Sequence, residues 1–155
     1  MLNKGLKKTL EVFNKLYEID NNYRLNVIKF NNTKYDMDLS EFDGVNDLGI
    51  LSRNETLLYL RNSLCLLHVN DVYPEVFGFS NIEANLLGTP VLCYDIGALS
   101  ETMSYSLNQI INCKDHLIVN TKILKFKESG IPLVKRSSEY SKQNVVNLWI
   151  VALGM

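Results

Sequence analysis

The sequence predicts an α/β fold, a mostly parallel β-sheet with flanking helices, and three observations carry that expectation. Two short and almost wholly apolar runs, 64–69 and 90–94, have the composition of strands buried on both faces. Amphipathic helical patterns with recognisable start and stop signals lie around and between them. Strand and helix alternate at lengths that imply βαβ units, and such sheets bind ligands beyond the carboxyl ends of their strands.

The elements follow in order. Leu2, Leu6, Leu10, Val12, Phe13, Leu16 and Tyr17 recur at helical spacing with Lys and Glu between them, which predicts a helix over 2–19. Leu25, Val27 and Ile28 form a short strand after the polar Asn21 and Asn22. The polar stretch 31–41 reads as a loop or an exposed helical turn, and 45–50 as a second strand. Ser52-Arg53-Asn54-Glu55 has capping-box spacing, in which serine and glutamate satisfy each other's backbone N–H groups, and it opens a helix reaching about residue 63. After the strand at 64–69, a helix over 79–87 ends at Gly88, a residue suited to a left-handed cap. The strand at 90–94 and a shorter one at 109–112 come next. Residues 122–127 read as a solvated helix face. Val145, Val146, Leu148, Trp149 and Ala152 predict a closing helix over 141–153.

Composition bounds the function. A chain of 155 residues, 46% apolar and 21% charged, with no repeat or linker-like segment, suits one globular domain over 1–155 and excludes a disordered or collagen-like chain. Sixteen Lys+Arg against 17 Asp+Glu leave a net charge of −1, so no global field draws the protein to nucleic acid or anionic lipid. The three cysteines form no CxxC pair, and Cys65 and Cys93 sit in apolar runs, which predicts buried, reduced thiols and a cytoplasmic location. His68 and His116 complete no ligand set with them, so no metal site is expected. The N-terminus lacks the apolar segment of a signal peptide. The longest apolar stretch, 145–153, is about half the length of a membrane span. No transmembrane segment is therefore expected, and peripheral membrane contact through Trp149 stays open.

Residues 71–101 carry the chemistry. Glu75 lies in a loop, and Glu83 follows eight positions later near the start of a helix, so both carboxylates can face one cleft. Gly78 permits close backbone approach, and the first N–H groups of the next helix favour an anion. Carboxylates accept hydrogen bonds from paired hydroxyls, so the segment suits a ligand bearing both sugar hydroxyls and phosphate. Each residue also has a plainer reading. Ser80-Asn81-Ile82-Glu83 is itself a capping box, Glu75 alone would be a solvated loop acid, Asp95 an N-cap or turn residue, and His68 a strand-end histidine.

In order and spacing, Glu75, Phe77-Gly78, Glu83-Ala84, Gly88-Thr89-Pro90-Val91, Asp95, Gly97 and Glu101 resemble the C-terminal, nucleotide-sugar-binding half of retaining glycosyltransferases with the two-domain B fold, the glycosyl transferases group 1 family. Ala98 stands where a second glycine is usual, a change expected to stiffen that loop. Lys4-Gly5 before the first helix is similar to the Lys-Gly that opens this half of the family. The resemblance implies a Rossmann-like sheet and a glycosyltransferase (hexosyltransferase) activity using a nucleotide-diphosphate sugar as donor substrate, with no cofactor or metal. It implies that Glu83 holds the ribose, Glu75 the donor sugar, and the backbone around Phe77, Gly78 and Phe79 the sugar and phosphates. Lys4 would neutralise the diphosphate, and Ile50 or Leu51 would meet the base. Glu75 and Lys4 would be the catalytic pair.

In that family a strand, an arginine and an acceptor-binding domain stand before the Lys-Gly, whereas here three residues do. The expectation is a half-domain lacking its first, central strand, with a gap or bare edge in its sheet, inactive without a separate acceptor-binding domain or chain. A truncated, non-catalytic domain that binds a nucleotide or a partner is the alternative. A sugar-nucleotide epimerase on the same fold is a third reading, opposed by the Phe-Gly and Glu-Ala context.

Overall fold

The computed structural model describes residues 5–29, 37–103, 110–111, 115–130, 134 and 143. Lys4, Cys113 and the helix expected over 141–153 with Trp149 lie outside the described residues. The element order is α1 (Leu6–Ile19), β1 (Leu25–Lys29), β2 (Val45–Ile50), α2 (Arg53–Arg61), β3 (Leu66–His68), α3 (Phe79–Leu86), β4 (Val91–Tyr94), α4 (Leu99–Thr102), β5 (Ile110–Ile111) and α5 (His116–Ser129). All strand pairings are parallel. The fold is thus the expected α/β arrangement of parallel strands and flanking helices.

The strands fall into two sheets, β1–β2 and β3–β4–β5. Among the described residues no ladder joins β1 to β3, so each presents one edge without a neighbouring strand. Helix α1 packs against both sheets. Leu6 and Leu10 pack with Leu25, Val27 and Val45 of the small sheet, together with Leu39. Two turns on, Val12 and Leu16 pack with Leu92 and Tyr94 of β4, Ile111 of β5 and Val119, Ile123 and Phe126 of α5. The apolar stripe of one amphipathic helix is wide enough to serve both sheets.

β4 is the centre of the larger sheet. Its four side chains are all buried and alternate between two cores, as the period of a strand requires. Leu92 and Tyr94 face α1 and α5, while Val91 and Cys93 face Leu60 of α2, Ala84 of α3 and Leu99 and Met103 at α4. Burial, reinforced by Asp95, pushes the Cys93 thiol up to about 12, as burial does for Cys65. Both are poor thiolates, in line with the reading of structural cysteines.

Three expectations need correction. The run 64–69 contains a strand of only three residues, half-buried instead of buried on both faces, because one of its edges has no partner strand among the described residues. The turn within 31–41 is a short 3-10 helix, Leu39–Glu41, capped by Asp38; Leu39 is buried under α1, not exposed. The solvated face assigned to 122–127 belongs to α5, and Ile123 and Phe126 turn inward from it. In contrast, the Ser52 capping box forms as read: the Ser52 hydroxyl accepts from the Glu55 N–H at 3.3 Å, and the Glu55 carboxylate accepts from the Ser52 N–H at 2.8 Å.

Asp20, at the C-terminal cap of α1, pairs with Lys127 on α5 and accepts from the backbone and side chain of Asn22. Lys127 first, and Asn22 after it, hold the Asp20 carboxyl down at about 2, against an ordinary value of 3.8. A depressed carboxyl contributes stability that is present above its unfolded value and lost as pH falls toward its folded one. Thermal melts between pH 5 and about 2 should therefore show a falling transition temperature, with a shallower fall in Asp20→Asn; parallel acid limbs would remove Asp20 from the linkage.

Candidate functional site

The loops at the carboxyl ends of β2, β3 and β4 form the site. The β3 loop begins at Asn70, which is buried and organises the turn after it. Its side-chain oxygen accepts from the Val72 and Tyr73 N–H groups at 3.1 and 3.3 Å, and its amide donates to the Tyr73 carbonyl at 2.6 Å. Gly5, at the start of α1, sits against this residue: a Cβ there would lie 2.8 Å from the Asn70 Cα, and Gly5 holds φ +78°. Only glycine meets both demands. The beginning of α1 is thereby seated beside the β3 loop, and Lys4 immediately precedes that contact in sequence.

Glu75 is held by backbone. Its residue forms an isolated parallel bridge with Gly97 in the loop after β4, and its carbonyl accepts from the Ala98 N–H at 2.8 Å. A Cβ on Gly97 would lie 2.3 Å from the Glu75 carbonyl oxygen, and Gly97 has φ +64°. The Glu75 carboxylate folds back, its Oε1 accepting from the Gly78 N–H at 3.3 Å. The second glycine usual in the resembled motif is dispensable here, since Ala98 has φ −83° and meets Glu75 through its backbone N–H. Asp95 is exposed and is not an N-cap: α4 starts from Ala98.

Gly78 is the N-cap of α3, with no side-chain cap. Ser80 lies inside the helix, so the capping-box reading of Glu83 fails. Its carboxylate instead accepts from Arg53 Nη2 at 2.8 Å, linking α3 to the first turn of α2. The pair is solvent-exposed on the arginine side, which makes it a weak constraint. Glu83 thus stays available at the surface of the site. Between the two glutamates lie the first N–H groups of α3, which have no intrahelical acceptor. The Phe77 and Phe79 rings pack on each other with centroids 4.8 Å apart. Leu51, half-buried, joins β2 to the Ser52 cap. Several apolar side chains of these loops are exposed: Val76 is 88% exposed and Phe79 72%, and Val72 and Ile50 are exposed as well.

Three further residues belong to the site. Arg53 was invisible to sequence reasoning because its partner lies thirty residues away. Asn70 gave no signal beyond its place at a strand end. His68 was read as a strand-end histidine, yet its Nδ1 lies 3.0 Å from the Asn81 Oδ1 and its Nε2 3.6 Å from Glu75 Oε2. Strand parity could have found it, because His68 shares a face with Leu66, which packs toward α3. Among the described residues no cluster of three or more His, Cys, Asp or Glu side chains could hold a metal ion.

The Glu75–Gly97 contact sets the placement of the first carboxylate. Gly97→Ala should lower the melting temperature by several degrees, since the methyl group meets backbone and the positive φ costs roughly 1 kcal/mol on its own. A melting temperature within one degree of wild type would show that the two loops separate without cost.

No curated protein matches the chain as a relative. A family comparison is decisive: the model of the glycosyl transferases group 1 matches residues 2–144, a span that includes both sheets and every loop of the cleft. With its parallel α/β fold and its two glutamates at the carboxyl end of β3, this chain belongs to the glycosyl transferases group 1 family.

Proposed function

We propose that this chain is the donor-binding half of a retaining glycosyltransferase, which takes a nucleotide-diphosphate sugar and, with an acceptor-binding domain, passes its glycosyl group to a glycan, lipid or small acceptor. The observation that carries the reading is the pair Glu75 and Glu83 flanking the N-terminus of α3 at the carboxyl end of β3. Glu83 takes the ribose hydroxyls, and Glu75 takes hydroxyls of the glycosyl unit. The helix start between them takes the diphosphate, where exposed N–H groups and the helix dipole favour negative charge. Leu51 and its neighbours at the end of β2 offer backbone groups to the base. Lys4 supplies a cation beside the diphosphate, supported by the seat of Gly5 on Asn70.

In transfer, the bond from the anomeric carbon to the diphosphate oxygen breaks, and its electron pair leaves with the diphosphate. The acceptor oxygen bonds to that carbon on the same face and gives its proton to the departing diphosphate oxygen. Stabilising the developing diphosphate charge is this half's share of the catalysis. Neither Cys65 nor Cys93 supplies a nucleophile, since burial keeps both thiols protonated. No cofactor or metal enters this scheme. Transfer requires the acceptor-binding partner, so the chain alone binds donor without turnover.

The exposed apolar side chains of Val72, Val76 and Phe79 favour a second component of the reading, a partner domain or chain seated over the cleft. The same side chains support the alternative of a non-catalytic, partner-binding module. Among the described residues no helix is long and apolar enough to cross a membrane.

Calorimetric titration with uridine, guanosine and adenosine diphosphates should show saturable binding of one of them. Glu83→Ala should weaken it by roughly ten- to a hundredfold, the loss of hydrogen bonds to a charged acceptor. Unchanged affinity in the variant would overturn the ribose assignment. Glu75→Ala should leave the affinity for the diphosphate alone intact and remove the added affinity of the diphosphate sugar; a retained increment would remove Glu75 from the sugar site.

A further inference from the structure

His68 ends β3 and turns toward α3, where its Nδ1 meets the Asn81 Oδ1 at 3.0 Å. An amide oxygen only accepts, so this hydrogen bond places a proton on Nδ1. Asn81 is fully buried in the first turn of α3. It therefore anchors the imidazole ring, and the anchored ring directs Nε2 at Glu75 Oε2, 3.6 Å away. The other oxygen of the same carboxylate is fixed by the Gly78 N–H. Glu75 is thus bracketed between a backbone donor and an imidazole that a buried side chain holds in place.

The facing atoms define what the pair lacks. In the neutral ring with its proton on Nδ1, Nε2 carries a lone pair, and Oε2 carries another. Two acceptors at 3.6 Å repel, whereas an imidazolium with a second proton on Nε2 donates toward Oε2 and holds the carboxylate in place. Both side chains are partly open to solvent, 20% for His68 and 24% for Glu75, so a hydroxyl has access.

We propose that His68 is a positioning residue of the donor site: anchored through Asn81, it fixes the Glu75 carboxylate to receive hydroxyls of the glycosyl unit. The inference rests on the reading of Glu75 as the sugar-binding carboxylate. His68 acts through Glu75, not on the reacting atoms.

Two substitutions separate positioning from packing. His68→Asn keeps an amide donor near the place of Nδ1 for Asn81 but leaves nothing at Nε2. His68→Gln reaches the place of Nε2 and donates to Glu75. The readout is the ratio of affinities for UDP-glucose over UDP and for GDP-mannose over GDP, measured calorimetrically on the full chain. His68→Asn should lower the ratio of the preferred pair about tenfold, with affinity for the diphosphate unchanged, and His68→Gln should restore most of it. Equal ratios in the two variants, or a parallel fall in diphosphate affinity, would overturn the positioning role. Glu75→Ala measured alongside tells the two failures apart. If it retains the ratio, or if wild type shows none, the reading of Glu75 falls and takes this inference with it. If it abolishes the ratio while His68→Asn does not, the inference alone falls. Should His68→Asn not fold, ¹⁵N resonances of the wild-type imidazole decide: Glu75→Gln should shift His68 Nε2 and leave Nδ1 in place, and an unmoved Nε2 signal would overturn the contact.

Discussion

The structure depends on the packing of one helix across two sheets. Helix α1 gives Leu6 and Leu10 to the β1–β2 pair, and Val12 and Leu16 to the core between β4 and α5. Among the described residues no strand ladder makes that connection. The relation between the β2 loop and the β3 loop is transmitted through apolar side chains on a single amphipathic surface. The Asp20–Lys127 pair fastens the far end of that helix to α5, and Gly5 fastens its near end to Asn70.

Within the cleft, backbone does most of the positioning. Glu75 is placed by its bridge to Gly97 and by the Ala98 N–H, neither of which depends on a side chain other than the absence of one at Gly97. This accounts for the tolerance of Ala98. A residue at ordinary φ that meets its partner through its N–H can be anything short of proline, whereas the residue before it must clear a carbonyl oxygen at van der Waals range. Glu83 stands in contrast, since its carboxylate pairs with an exposed arginine instead of with backbone.

Much of this was legible in the sequence. Apolar runs located β3 and β4, the Ser52 box located the start of α2 to the residue, and Gly78 marked the loop that leads into α3. Local pattern failed where tertiary partners decide. The length and burial of β3 depend on which edges have neighbours, and that is not written in six apolar residues. Phe126 and Ile123 sit among lysines, and only the position of α1 makes their face an interior one. The Ser80–Glu83 box was a sound local motif overruled by Gly78, which begins the helix two residues earlier and leaves Glu83 to Arg53. His68 was judged singly, although its parity with Leu66 already turned it toward the helix that carries Asn81.

The break between the sheets has a consequence for how the molecule breathes. Backbone ladders make neighbouring strands open together, whereas side-chain contacts let them open apart. β4, hydrogen-bonded on both edges and buried on both faces, is well shielded from water. β1 and β2, which among the described residues pair with each other alone and are roofed by α1 and Leu39, make a separate unit. The β2 loop belongs to that unit, and the loops after β3 and β4 belong to the larger sheet. A ligand that touches both would therefore suppress a fluctuation that neither sheet can suppress in the other.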